Sequence, residues 1–185
     1  MIEELRELIE KSMREHDLPY QRKQSLIWGF STTIGFLVTQ LLFLMALKDI
    51  LSGFEIIPLW GILIGITVYI SRRLAGLPEV RSYFSKLYSD FWMAGFFAIA
   101  VLILISLLTH PRYTGAFVAP VVGLLVAIAG MMFRTRYSIF MGFLYSASGI
   151  AMFYLWQYQF LIFAVMQFST LALPNISALK TNWKI

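Results

Sequence analysis

Between residues 25 and 175, apolar positions come in long runs separated by short polar or charged clusters. Runs of about 17–25 apolar residues have the length a helix needs to cross the hydrocarbon core of a bilayer. Lys48-Asp49 and Gly53 break the first run, Arg72-Arg73 the second, His110-Pro111-Arg112 the third and Arg134-Thr135-Arg136 the fourth. The pattern predicts an all-α fold, an integral membrane bundle of six transmembrane helices. The first two spans fall at 25–47 and 54–71. The third belongs to a helix that starts near Pro78 and ends at Thr109. The rest fall at 114–133, 137–156 and 159–175, with Pro120 inside the fourth and Pro174 ending the sixth. Only Gln157 and Gln159 mark the last turn, beside the aromatic belt of Tyr154, Trp156 and Tyr158. An unbroken helix over 137–175 would be ~58 Å long, well beyond what a span needs.

Ahead of the spans the period changes. Ile2, Leu5, Leu8, Ile9 and Met13 recur on one face of a helix over residues 2–16. Glu7–Lys11 and Glu10–Arg14 are favourable i,i+4 pairs on the other face. Residues 17–24 read as a hinge, because Pro19 disfavours helix at Leu18. The expected organisation is therefore a cytoplasmic amphipathic helix and hinge (1–24), a six-helix transmembrane domain (25–175) with a cytoplasmic loop (72–90), and a cytoplasmic tail (176–185). The opening residues form neither a basic nor an apolar signal region, so the first span is expected to direct insertion.

Composition agrees. The chain is 59% hydrophobic and 14% charged, with a mean hydropathy of +0.74, where soluble domains carry about 25% charged residues. The net charge of +5 reflects basic residues beside spans. Arg6, Lys11, Arg14, Arg22 and Lys23, then Arg72, Arg73, Arg81 and Lys86, then Arg134 and Arg136, and last Lys180 and Lys184 all fall on one side of a six-span chain. Lys48 and Arg112 fall on the other. By the positive-inside rule both termini face the cytoplasm, in the cytoplasmic (inner) membrane. No basic cluster is interleaved with stacking aromatics, so nucleic acid is not an expected partner. The absence of cysteine excludes disulfides and Cys-ligated metals.

Ionisable residues avoid the interior of the spans. The nearest are Glu55, Asp90, His110 and Arg112, all at span ends, which disfavours ion-coupled transport. Uncharged polar residues do occur inside: Thr32, Thr33, Thr39 and Gln40 in the first span, Tyr145, Ser146 and Ser148 in the fifth, and Gln167, Ser169 and Thr170 in the sixth. They could line a cavity for a small polar or amphipathic ligand. The alternative is helix–helix and helix-to-self hydrogen bonding, which the residue types favour. Gly61 and Gly65 form a GxxxG motif, read either as a dimer seam or as internal packing. No metal, cofactor or catalytic constellation is expected, because His16 and His110 fall on opposite sides and no nucleophile has a base beside it.

The N-terminal helix carries Glu3, Glu4, Glu7, Glu10, Glu15 and Asp17 against Arg6, Lys11 and Arg14. That charge opposes docking on anionic lipid. Ile2, Leu5, Leu8, Ile9 and Met13 are therefore expected to bind protein, either a second copy in a homodimer or a cytoplasmic partner. The function expected is non-enzymatic: scaffolding, sensing or regulation in the lipid bilayer through this helix and the loop. A transporter or channel for a small uncharged or amphipathic solute is the alternative.

Residues 3–12, Leu26-Ile27-Trp28-Gly29, and Tyr158-Gln159-Phe160-Leu161-Ile162-Phe163-Ala164 followed by Pro174 resemble segments of a group of uncharacterised small bacterial membrane proteins of Bacteroidetes type. The resemblance implies six spans and no known activity, and it transfers no functional residue. That group has Pro-Gly where this chain has Pro174-Asn175.

Overall fold

The computed structural model describes residues 18–48, 56–74 and 83–179. Within them every regular element is helical: α1 (Leu18–Ala46), α2 (Ile56–Leu74), α3 (Tyr83–Thr109), α4 (Thr114–Met132), α5 (Arg136–Tyr154) and α6 (Gln159–Gln167). From α6 the chain runs on through a π-helical turn, Phe168–Ala172, into a 3-10 helix, Leu173–Leu179. The N-terminal amphipathic helix, with the interaction positions assigned to it, lies outside the described residues, as do loop residues 75–82 and tail residues 180–185.

Five stretches are long and apolar enough to cross a membrane: Tyr20–Ala46, Ile56–Arg73, Lys86–Ser106, Thr114–Met132 and Trp156–Ile176. The remaining helix, α5, has nineteen residues. Serines, glycines and tyrosines are spread along it. Large apolar side chains stand exposed along every helix, among them Ile34, Ile62, Phe97, Leu124, Ile150 and Val165. Water does not tolerate that much exposed apolar surface and lipid does, so the folded chain is suited to a membrane.

Two boundaries differ from the sequence reading. The stretch read as a hinge is helical from Leu18 onward. Pro19 stands in the first turn of α1, where its missing N–H would have had no helical partner. At the other end, Pro174 does not stop the last helix, which continues in 3-10 form to Leu179. Pro174 is the second residue of that 3-10 segment, in its first turn, where a missing N–H leaves no bond of the segment unmade.

Small residues set the packing. Along the α4–α5 hairpin a Cβ on Gly142 would meet the Ala127 backbone, and one on Gly130 would lie 2.7 Å from Ile139 N. One on Gly149 would lie 2.8 Å from Ala116 O. The two backbones are thus nearly in contact, as small residues permit in lipid. α1 packs antiparallel on α6, with Gly29 against Leu171 and Ala172, Phe36 stacked on Phe163 at 5.0 Å and Phe43 edge-on to Phe160 at 5.4 Å. The core between α4, α5 and α6 is built from Val118, Ala119, Val122, Met141, Tyr145, Met152, Phe163 and Met166.

α2 and α3 flank this four-helix centre. α2 leans on α1, with Trp60 over Gly35 and its ring edge-on to Phe36 at 4.9 Å. α3 leans on α4 through Gly95 against Leu125 and Tyr88 against Phe133. A Cβ on Gly61 or Gly65 would meet nothing within 4 Å, so among the described residues the GxxxG face packs against no other helix. Between α4 and α5, Arg134 takes the left-handed conformation at φ 53°. Around it Thr135 N donates to Gly130 O at 2.8 Å and Arg134 N to Met131 O at 3.1 Å. This is a Schellman-type stop that glycine normally serves.

Candidate functional site

Polar side chains inside an apolar bundle must find partners, because lipid offers none. Two glutamines do so at the Trp156 end. Gln159 is buried at the start of α6, and its Oε1 accepts the Gly115 N–H at 2.7 Å. That N–H belongs to the first turn of α4, which has no side-chain cap of its own. Gln40 on α1 uses both ends of its amide. Its Nε2 donates to Gln157 O at 2.7 Å and its Oε1 accepts the Leu161 N–H at 3.1 Å. One side chain thereby satisfies the α5–α6 turn and the start of α6 together.

The threonines of α1 mostly bond their own helix. Thr32 Oγ1 donates to Trp28 O at 2.7 Å and Thr33 Oγ1 to Gly29 O at 2.6 Å. Thr39 Oγ1 donates to Gly35 O at 2.8 Å and accepts the Trp60 Nε1–H at 3.0 Å, linking α2 to α1. On α5, Ser148 Oγ donates to Tyr145 O at 2.6 Å. Ser146 Oγ lies 3.1 Å from both Pro120 O and Gly142 O, so its single proton bridges α5 to the proline turn of α4. The Ser169 carbonyl accepts the Tyr137 hydroxyl at 2.7 Å.

The ten intramembrane polar residues therefore do not converge on one cavity. A groove of about 340 Å³ runs between α4 and α5, bounded by Ala116, Pro120, Ser146, Gly149, Phe153 and Tyr154. Of the ten, only Ser146 lines it. Three others stand apart. Tyr145 Oη, Gln167 Oε1 and Thr170 Oγ1 are buried and have no hydrogen-bond partner among the described residues.

Sequence reasoning noted Gln159 as a turn marker and missed that it caps another helix. The available signal was the start of α4, where neither His110, Pro111, Arg112 nor Tyr113 is a capping residue, so a cap had to come from elsewhere. It also missed Arg112, whose guanidinium sits 4.0 Å over the Trp156 ring. That contact joins the α3–α4 turn to the α5–α6 turn by a cation–π interaction. No group of three or more His, Cys, Asp or Glu that could hold a metal occurs among the described residues.

No family model matches the chain, and no solved structure does. An uncharacterised protein of Methanocaldococcus jannaschii, MJ0433, is 31% identical over 165 residues, which cover 89% of this chain and 91% of that one.

Proposed function

We propose that this chain, which belongs to the same family as that Methanocaldococcus jannaschii protein, is a non-enzymatic integral membrane protein that scaffolds, senses or regulates. It crosses the cytoplasmic membrane six times, with α5 as the fifth span and both termini inside. Its contacts with partners run through the N-terminal amphipathic helix and the loop over residues 72–90.

One observation carries the reading: among the described residues, the partnered polar groups inside the bundle bond their own helix or a neighbouring one, and the ten do not line one shared passage. Gln40 spends both ends of its amide on the α5–α6 turn, and Gln159 spends its carbonyl on α4. Charge separation supports the orientation. The helix ends bring Arg22, Lys23, Arg72, Arg73, Lys86, Arg134 and Arg136 to one end of the bundle, and Lys48 and Arg112 to the other. Within the solute-transport reading, Tyr145, Gln167 and Thr170 are the residues with polar atoms to spare.

Single introduced cysteines test the topology cleanly, because the chain has none of its own. Thr135→Cys is labelled only after a membrane-impermeant thiol reagent reaches the cytoplasm. Lys48→Cys, Arg112→Cys and Gln157→Cys are labelled from outside. Labelling of Gln157→Cys only from the cytoplasmic side, together with Thr135→Cys, overturns the six-span reading, and labelling of Thr135→Cys from outside overturns the orientation.

A further inference from the structure

The groove between α4 and α5 is floored by Pro120 and Gly149. A Cβ on Gly149 would lie 3.1 Å from the Pro120 ring, so only glycine leaves room there. The groove holds about 340 Å³, within the ~300–1,000 Å³ of small-molecule sites. Along α5 it runs from Tyr154 to Ser146, a rise of ~12 Å. Spread over that length, its volume gives a cross-section of roughly 30 Å², where a helix 10–12 Å across would need ~80 Å² or more. A single hydrocarbon chain fits and a second helix does not.

The walls agree with such an occupant. The Ser146 hydroxyl is already engaged with Pro120 O and Gly142 O, so a polar solute gains little from it. Phe117, Ile150 and Phe153 line the groove and stand exposed. It therefore opens sideways, from the flank of a helix long and apolar enough to span a membrane, toward lipid chains.

At the Trp156 end the groove meets a cation. Arg112 precedes the lining residue Ala116 by four residues, about one helical turn. Tyr113, next to it, stacks on Phe153 of the groove wall at 4.6 Å. The Arg112 guanidinium lies 4.0 Å over the Trp156 ring, two residues beyond Tyr154. These contacts hold Arg112 at the mouth. A ring takes the face of a guanidinium and leaves its N–H edge, whose geometry matches phosphate. Among the described residues no carboxylate competes for that edge. Asp90, the only one, lies near the start of α3, and Arg112 follows the far end of that helix.

We propose that the groove binds one anionic phospholipid, with an acyl chain along Pro120 and Gly149 and the phosphate on Arg112. The glycerol that joins chain to phosphate bridges the turn from Ala116 to Arg112. The site rests on α5 crossing the bilayer beside α4 and not on the scaffold role. The Gln157→Cys labelling tests that crossing separately.

The test uses native mass spectrometry of the full chain released from vesicles of equal parts phosphatidylcholine and phosphatidylglycerol. The wild type should retain phosphatidylglycerol in preference to phosphatidylcholine. Arg112→Gln should lose about fivefold of that preference, the worth of one basic residue at an anionic surface, and Arg112→Lys should keep most of it. Ile150→Trp, which lays a bulky ring over the groove from an exposed position, should shed the lipid with the fold intact by circular dichroism. Equal retention of both lipids by the wild type overturns the proposal, as does a preference untouched by Arg112→Gln or a lipid untouched by Ile150→Trp. A dimer that Ile150→Trp breaks would put a second copy in the groove, and overturns it too.

Discussion

The side-chain carbonyl of Gln159 accepts the Gly115 N–H at 2.7 Å, joining residues 44 apart in the chain. It closes the Trp156 end of the bundle by satisfying a first-turn donor of α4 that local residues leave open. Gln159→Leu keeps the volume and deletes the acceptor. It should cost ~1–3 kcal/mol of stability, read as a lowered unfolding temperature in nanodiscs. Gln40→Leu strands both Gln157 O and Leu161 N and should cost more than Gln159→Leu.

Two glycine substitutions should behave in opposite ways. A Cβ on Gly142 would meet the Ala127 backbone, which cannot swing aside. Gly142→Ala should therefore force α4 and α5 apart and destabilise the bundle by at least ~1–3 kcal/mol, the scale of overpacking. Gly61→Ala meets nothing within 4 Å and should be neutral or gain ~0.5–1 kcal/mol from helix propensity. Unfolding of the two variants side by side checks the claim. A loss at Gly61→Ala would show that its face is covered in the membrane.

Arg134 holds φ 53° at the α4–α5 turn, where a Cβ is a burden and glycine is free. Arg134→Gly should stabilise the hairpin by ~0.5–1 kcal/mol. Arg134→Val, β-branched in the same conformation, should destabilise it. Unfolding temperatures of both variants decide.

How much of this was legible in the sequence follows from the kind of information each feature needs. The breaks at His110-Pro111-Arg112 and Arg134-Thr135-Arg136 are local, and the helices on either side of them begin and end within a few residues of the expected places. Pro19 and Pro174 misled for one reason: a proline is tolerated in the first turn of a helical segment and breaks its interior. The sequence does not say which applies. Neighbour relations were not legible, because apolar faces look alike when lipid and protein are both apolar. Gly61 and Gly65 carry the packing motif and meet none of the described residues, while Gly142 and Gly130 hold the tight α4–α5 hairpin. Among polar residues, Gln40 stood out by its position within a span. Gln159 did not, since its partner Gly115 lies on another helix.

The central claim is that the protein acts by binding another protein through its N-terminal helix. The most direct measurement places a photo-crosslinking residue at Glu4 on that helix, in the full chain in native membranes. Proteins joined to it are then compared with and without Leu5→Ser and Ile9→Ser. The account predicts a discrete protein adduct, either a second copy or a cytoplasmic partner, that disappears in the double variant while the spans stay inserted. Adducts with lipid alone, or an adduct unchanged by the double variant, would contradict it.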